Sequence, residues 1–127
     1  MNNMVKEYSK LDFKQFILKS IKENQDEDLC SNAIEAFPDD RDIVLEAVKN
    51  LDYPWEFFSY ASDRLQDDKE LVFEALKKDY RLFSALSKKL MQDREFVSKL
   101  KKNIEGFRSY LGSHYGYTYD GYLYRLS

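Results

Sequence analysis

The chain has 127 residues, a net charge of −3, one histidine and one cysteine. That length suits one compact domain, and a lone Cys30 with a lone His114 completes neither a disulfide, nor a zinc set, nor a catalytic triad of conventional parts. Only four Gly and two Pro interrupt helices, so an all-α fold is expected.

At the N-terminus, MNNMVKEYSKLDF lacks the apolar centre of a signal peptide. No later run approaches the ~20 apolar residues of a membrane span, so cytoplasmic action without membrane contact is expected. Residues 12–38 read as a degenerate helical unit, in which FILKSIK at 16–22 matches IVLEAVK at 43–49. The clearest units are 39–66 and 67–91, which open with DDRDIVLEAVK and DDKELVFEALK; QDREFVSKLKK then begins a truncated unit over 92–113. Ile43, Val44, Ala47 and Val48 stand over Leu71, Val72, Ala75 and Leu76, and over Phe96, Val97, Leu100 and Lys101. Apolar residues at i, i+1, i+4 and i+5 form one helical stripe and fit no strand.

Each unit has a second half. FSYASDRLQDD (58–68) aligns with FSALSKKLMQD (83–93), and more loosely with CSNAIEAFPDD (30–40). The shared apolar positions are Phe58, Ala61 and Leu65, then Phe83, Leu86 and Leu90, then Cys30, Ala33 and Phe37, again at helical spacing. Each unit is therefore expected to be a helix pair of 25 to 28 residues. Asp39, Asp67 and Asp93 are the expected N-caps, with Asp42 and Glu70 as capping-box partners. Pro54 and Asp79 open the second helices, and Lys22, Lys49, Lys77 and Lys102 close the first ones, where the helix dipole favours cations. One pair cannot bury its stripe alone but stacked pairs can, which predicts a single domain built as a short helical-hairpin repeat array, α-solenoid-like, with atypical end units.

The tail HYGYTYDGYLYRLS (114–127) departs from this pattern. Tyr117, Tyr119, Tyr122 and Tyr124 alternate around Asp120-Gly121, a dipeptide suited to a two-residue type I′ turn. A small β-hairpin over 115–124 is expected, with Tyr117 and Tyr119 on one face and Tyr122 and Tyr124 forming cross-strand pairs with them. It would cover Phe96, Leu100 and Phe107, as a lid, a partner-binding element, or both.

The pairing of DRDIVLEAVKN and DREFVSKLKKN with YASDRLQDD resembles a family of bacterial and viral repeats, domain of unknown function 4116. Its units alternate an Asp-Arg-Glu-x-Val-Leu-x-Ala-Val-Lys helix with a Tyr-Ala-Ser-x-x-Leu-x-x-Asp helix. Asp40, Val44, Leu45, Ala47, Val48 and Lys49, then Tyr60, Ala61, Ser62, Leu65 and Asp68 carry the resemblance, while Ala85, Leu86 and Ser87 replace the Tyr-Ala-Ser in the next unit. It covers residues 39–105. It implies a helical repeat, a prokaryotic or phage setting and interaction-type use, and it carries over no catalytic residue.

The expected function is a non-enzymatic protein-protein interaction module without cofactor or metal. There is no EF-hand spacing of ligands and no Gly-rich phosphate loop. One concrete instance is a phage or mobile-element inhibitor of a bacterial defence protein. The candidate partner contacts are Tyr53 and Trp55 in LDYPWEFFSYASDR (51–64), together with Tyr115, Tyr117, Tyr119, Tyr122 and Tyr124. Residues 1–66 carry −6 and residues 67–127 carry +3, a polarity that can orient a partner. An alternative is nucleic-acid binding through Lys88, Lys89, Lys101 and Lys102, which the net acidity disfavours. A further alternative is structural self-assembly as a homo-oligomer.

Overall fold

Aspartate side chains set where the first helix of each central repeat begins. A computed structural model describes residues 2–24 and 26–126, with side chains from residue 12 onward except that of Trp55. The first helix, α1, runs Asn2–Asn24, and α2 (Glu27–Ala36) starts at Asp26, whose carboxylate accepts from the N–H groups of Asp28 and Leu29. Three ten-residue helices repeat the next element: α3 (Arg41–Asn50), α6 (Lys69–Lys78) and α8 (Arg94–Asn103). Their caps are Asp40, Asp68 and Asp93, each accepting from the third helical N–H at 3.3, 3.1 and 3.0 Å.

The cap register corrects the expectation in two of the three cases. Asp39 and Asp67 lie one residue too early, so Asp42 and Glu70 fall at the second helical position and are not capping-box partners. Both members of each Asp-Asp pair can cap in principle. The first is already engaged, Asp39 by the Ser62 hydroxyl and Arg64, and Asp67 in closing the preceding turn through its N–H to the Arg64 and Leu65 carbonyls. The apolar stripes Ile43, Val44, Ala47 and Val48, Leu71, Val72, Ala75 and Leu76, and Phe96, Val97 and Leu100 are all buried. The lysines at the helix ends lie in the last turns as expected.

The second half of each central unit is not one helix. Between α3 and α6 it is α4 (Trp55–Phe58) followed by α5 (Asp63–Gln66); between α6 and α8 it is a 3-10 helix (Tyr80–Ala85) followed by α7 (Lys88–Met91). Ser62 and Ser87 cause the break. Both are extended, at ψ of 156° and 153°, and each hydroxyl accepts from the N–H three residues on, so a local cap replaces the continuing helical ladder. Pro54 sits at the cap of α4 rather than at its first helical position, and Asp79 caps the 3-10 helix through the Arg81 N–H. The apolar spacing survives the break, because Phe58, Ala61, Leu65, Phe83, Leu86 and Leu90 remain buried.

α3 packs between α1 and α6, and α2 lies against α3. Phe16, aligned with the fully buried Ile43, is 66% exposed. Ile43 has a helix on either side, whereas among the described residues Phe16 belongs to the first member of the row. At the other end α9 (Phe107–His114) leads into β1 (Tyr115–Tyr117), which pairs antiparallel with β2 (Leu123–Arg125). The protein is thus an all-α helical repeat array closed by one small hairpin. No helix of the described residues is long and apolar enough to cross a membrane.

Candidate functional site

A ladder of ionic contacts joins the units and ends at the hairpin. Lys14, which aligns with Arg41, reaches Asp40 and Asp42 at 3.2 Å each. Arg41 reaches Asp68 at 2.7 Å and Glu70 at 3.0 Å, and Lys69 reaches Asp93 at 2.6 Å. In every case the base of one repeat holds the cap of the next, from the middle of α1 for Lys14 and from the first helical position for Arg41 and Lys69. Arg94, the fourth aligned base, donates to the backbone carbonyl of Asp120 in the tail. The hairpin turn therefore stands where the cap of a further unit would stand. Arg41 beside Asp68 and Lys69 beside Asp93 hold both carboxyls below the usual carboxylate range. Asp39 is lowered as well, first by the Ser62 hydroxyl at 2.7 Å and then by Arg64 at 3.0 Å. The acidic caps are engaged pairwise, not presented as a free row of carboxylates.

The hairpin docks through few groups. Tyr115 is buried edge-on to Phe83 at 5.3 Å, and Leu123 is buried beside it in the core. The Gln92 side-chain amide clamps Leu123, donating to its carbonyl at 2.8 Å and accepting its N–H at 3.1 Å. Two cations stack on rings: Arg94 over Tyr122 and Lys101 over Tyr117, each at 5.0 Å. Lys101 also donates to the Tyr117 hydroxyl. Among the described residues the Tyr115 hydroxyl is buried without a hydrogen-bond partner in good geometry, and burial pushes its pKa above the ordinary phenol value.

The hairpin lies where expected, but its turn and its pairs differ. The Thr118 N–H donates to the Tyr122 carbonyl and the Gly121 N–H to the Thr118 carbonyl, closing a three-residue loop, Tyr119-Asp120-Gly121, with Gly121 at φ 90°. That is the turn-plus-bulge form, not the two-residue type I′ turn. The Thr118 hydroxyl decides it, donating to the Asp120 carboxylate and accepting the Tyr122 N–H. The extra residue shifts the register, so Tyr117 faces Leu123 and Gly116 faces Tyr124, and the expected tyrosine pairs do not form. The Tyr124 ring covers Gly116, where a Cβ would stand 2.8 Å from it.

Among the candidate contacts, Tyr117, Tyr119, Tyr122 and Tyr124 are exposed together on the hairpin, with Leu126 beside them. Tyr115 is placed in the core and is not a surface contact. Tyr53 is exposed but lines a separate cleft with Asp79, Arg81 and Asn103. The side chain of Trp55 lies outside the described residues. Lys101 and Lys102 share a surface cleft with Arg108, while Lys88 and Lys89 are exposed on α7. The residues missed from sequence are Gln92, Arg94 and Leu123. Arg94 was legible through its alignment with Arg41 and Lys69, whereas Gln92 carried no signal of its own.

Beyond these contacts, the domain of unknown function (DUF4116) matches residues 40–91 and, in a second overlapping match, residues 68–104. No curated protein and no solved structure matches the chain.

Proposed function

From a chain that belongs to the domain of unknown function (DUF4116) family, we propose a non-enzymatic protein-interaction module, acting in the cytoplasm, whose contact surface is the tyrosine-bearing C-terminal hairpin. One observation carries the reading. Four tyrosine rings and Leu126 are exposed on a two-stranded element that the core itself holds in place through Tyr115, Leu123 and Gln92. A free two-stranded hairpin is marginal in water, so anchoring removes most of the ordering cost that such a surface would otherwise pay on binding. Tyrosine suits the role because it presents a large ring and a polar tip with few rotatable bonds.

The nucleic-acid alternative has weaker support. Of its four lysines, Lys101 is already directed onto Tyr117, and a phosphate backbone calls for a row of free cations. Capture from a bacterial lysate with the intact chain as bait tests the main reading. A partner retained by the wild type and lost by Tyr119→Ser/Tyr122→Ser/Tyr124→Ser, with unchanged melting, supports it. Equal capture by both chains removes the hairpin from the contact.

A further inference from the structure

The hairpin and α8 enclose a cleft of about 430 Å³, within the range of pockets that take a small ligand or one peptide side chain. Its floor is one stripe of α8: Arg94, then Val97 and Ser98, then Lys101. The two cations are seven residues apart, two helical turns or roughly 10 Å along the axis. Tyr117 and Leu123 form the facing wall. Val97 and Leu123 are buried, Ser98 is exposed between the cations, and Lys101 is half-buried. Arg94 directs one guanidinium N–H to Asp120, and Lys101 one ammonium N–H to Tyr117, which leaves further donors on each.

We propose that this cleft binds an acidic segment of a partner protein, laying one apolar side chain on Val97 and Leu123 and setting flanking carboxylates against Arg94 and Lys101. The proposal rests on the interaction reading above and names the chemistry of the partner. Charge complementarity selects this occupant: two cations flank an apolar floor within residues 67–127, the half of the chain that carries +3. The same two cations are too few for a nucleic acid, whose affinity grows with the number of phosphates neutralised. Both side chains are held by their rings and so lose little freedom on binding.

The test titrates the full chain with a short synthetic peptide carrying one Phe flanked on each side by Glu, read by amide NMR shifts. Saturable shifts at Val97, Ser98 and Leu123 are expected, with affinity falling as salt rises. Because Arg94 and Lys101 also hold the hairpin, the deciding variant is Ser98→Glu, which keeps both latch side chains and sets a carboxylate four residues after Arg94 and three before Lys101, where it takes up their remaining donors. It should weaken the peptide by about tenfold or more at an unchanged melting temperature, while Ser98→Ala binds as the wild type does. Equal binding of a peptide with Gln in place of Glu, or full binding to Ser98→Glu, overturns the proposal. So does a single-stranded oligonucleotide that shifts these residues when the peptide does not. If lysate capture is lost in the tyrosine variant yet survives Ser98→Glu, this inference falls while the interaction reading stands.

Discussion

At the scale of single residues, the second aspartate of each Asp-Asp pair has two tasks. Asp68 caps α6 through the Leu71 N–H and receives Arg41 from the unit before. Asp68→Ala should cost about 1–2 kcal/mol and lower the melting temperature by ~4–8 °C. Asp67→Ala, one position earlier and exposed, should stay within about 0.5 kcal/mol. Parallel thermal melts of the two variants check the cap register, and a larger loss at Asp67 would sink it. Acid should act through the same groups. The carboxyls of Asp39, Asp68, Asp79 and Asp93 are all depressed in the folded protein by hydrogen-bonding partners, for Asp79 chiefly Arg81. Their contribution is complete above the unfolded value of 3.8 and is lost as pH falls from there through the folded values. Melting temperature should therefore be flat from neutral pH to about pH 5 and then fall, and less steeply in Asp68→Asn than in the wild type. Cys30 is fully buried, and burial pushes its thiol up to about 11. A thiol reagent at neutral pH should leave it unmodified in the native state and react at the rate of unfolding.

At the scale of elements, the hairpin is the part whose stability can be varied separately. Gly121 is at φ 90°, and an added Cβ would stand 2.9 Å from an Arg94 guanidinium nitrogen. Gly121→Ala should cost ~1 kcal/mol or more, localised to the turn and visible as lost shift dispersion for Tyr119 and Tyr122. Leu123→Ala removes one of the two side chains that seat the hairpin and should lower stability by about 2–3 kcal/mol in denaturant titration. A negligible effect of both changes would mean that the tail contributes nothing to the fold, contrary to the burial of Tyr115 and Leu123.

At the scale of the molecule, each unit contacts its neighbours and the ends differ from the middle. α3 has α1 on one side and α6 on the other, and all four residues of its apolar stripe are fully buried. The ion-pair ladder runs along the same direction, although exposed pairs contribute little individually. Protection from hydrogen exchange should therefore be highest in α3 and α6 and lowest in β1 and β2. Exchange as one uniform block would show that coupling between units is stronger than nearest-neighbour packing allows.

Helical periodicity and the hairpin's position were legible because they depend on local chemistry: a 3.6-residue apolar stripe, capping carboxylates, and a glycine able to take positive φ. The three buried stripes and Gly121 are where those signals placed them. The sequence could not choose between adjacent aspartates, since either caps equally well in isolation and only the tertiary contacts that draw Asp39 to Ser62 and Arg64 leave Asp40 as the cap. Nor could it locate the breaks at Ser62 and Ser87, because the apolar spacing persists across them and only the hydroxyl's choice of backbone partner ends the helix. The tail shows the same division. Alternation marked the tyrosines, but one extra loop residue changes every cross-strand partner, so tertiary structure decided that Tyr115 and Leu123 are buried while Tyr117, Tyr119, Tyr122 and Tyr124 stay exposed. The cleft beside α8 exists only after that register is set, because its two walls come from segments that local sequence cannot bring together.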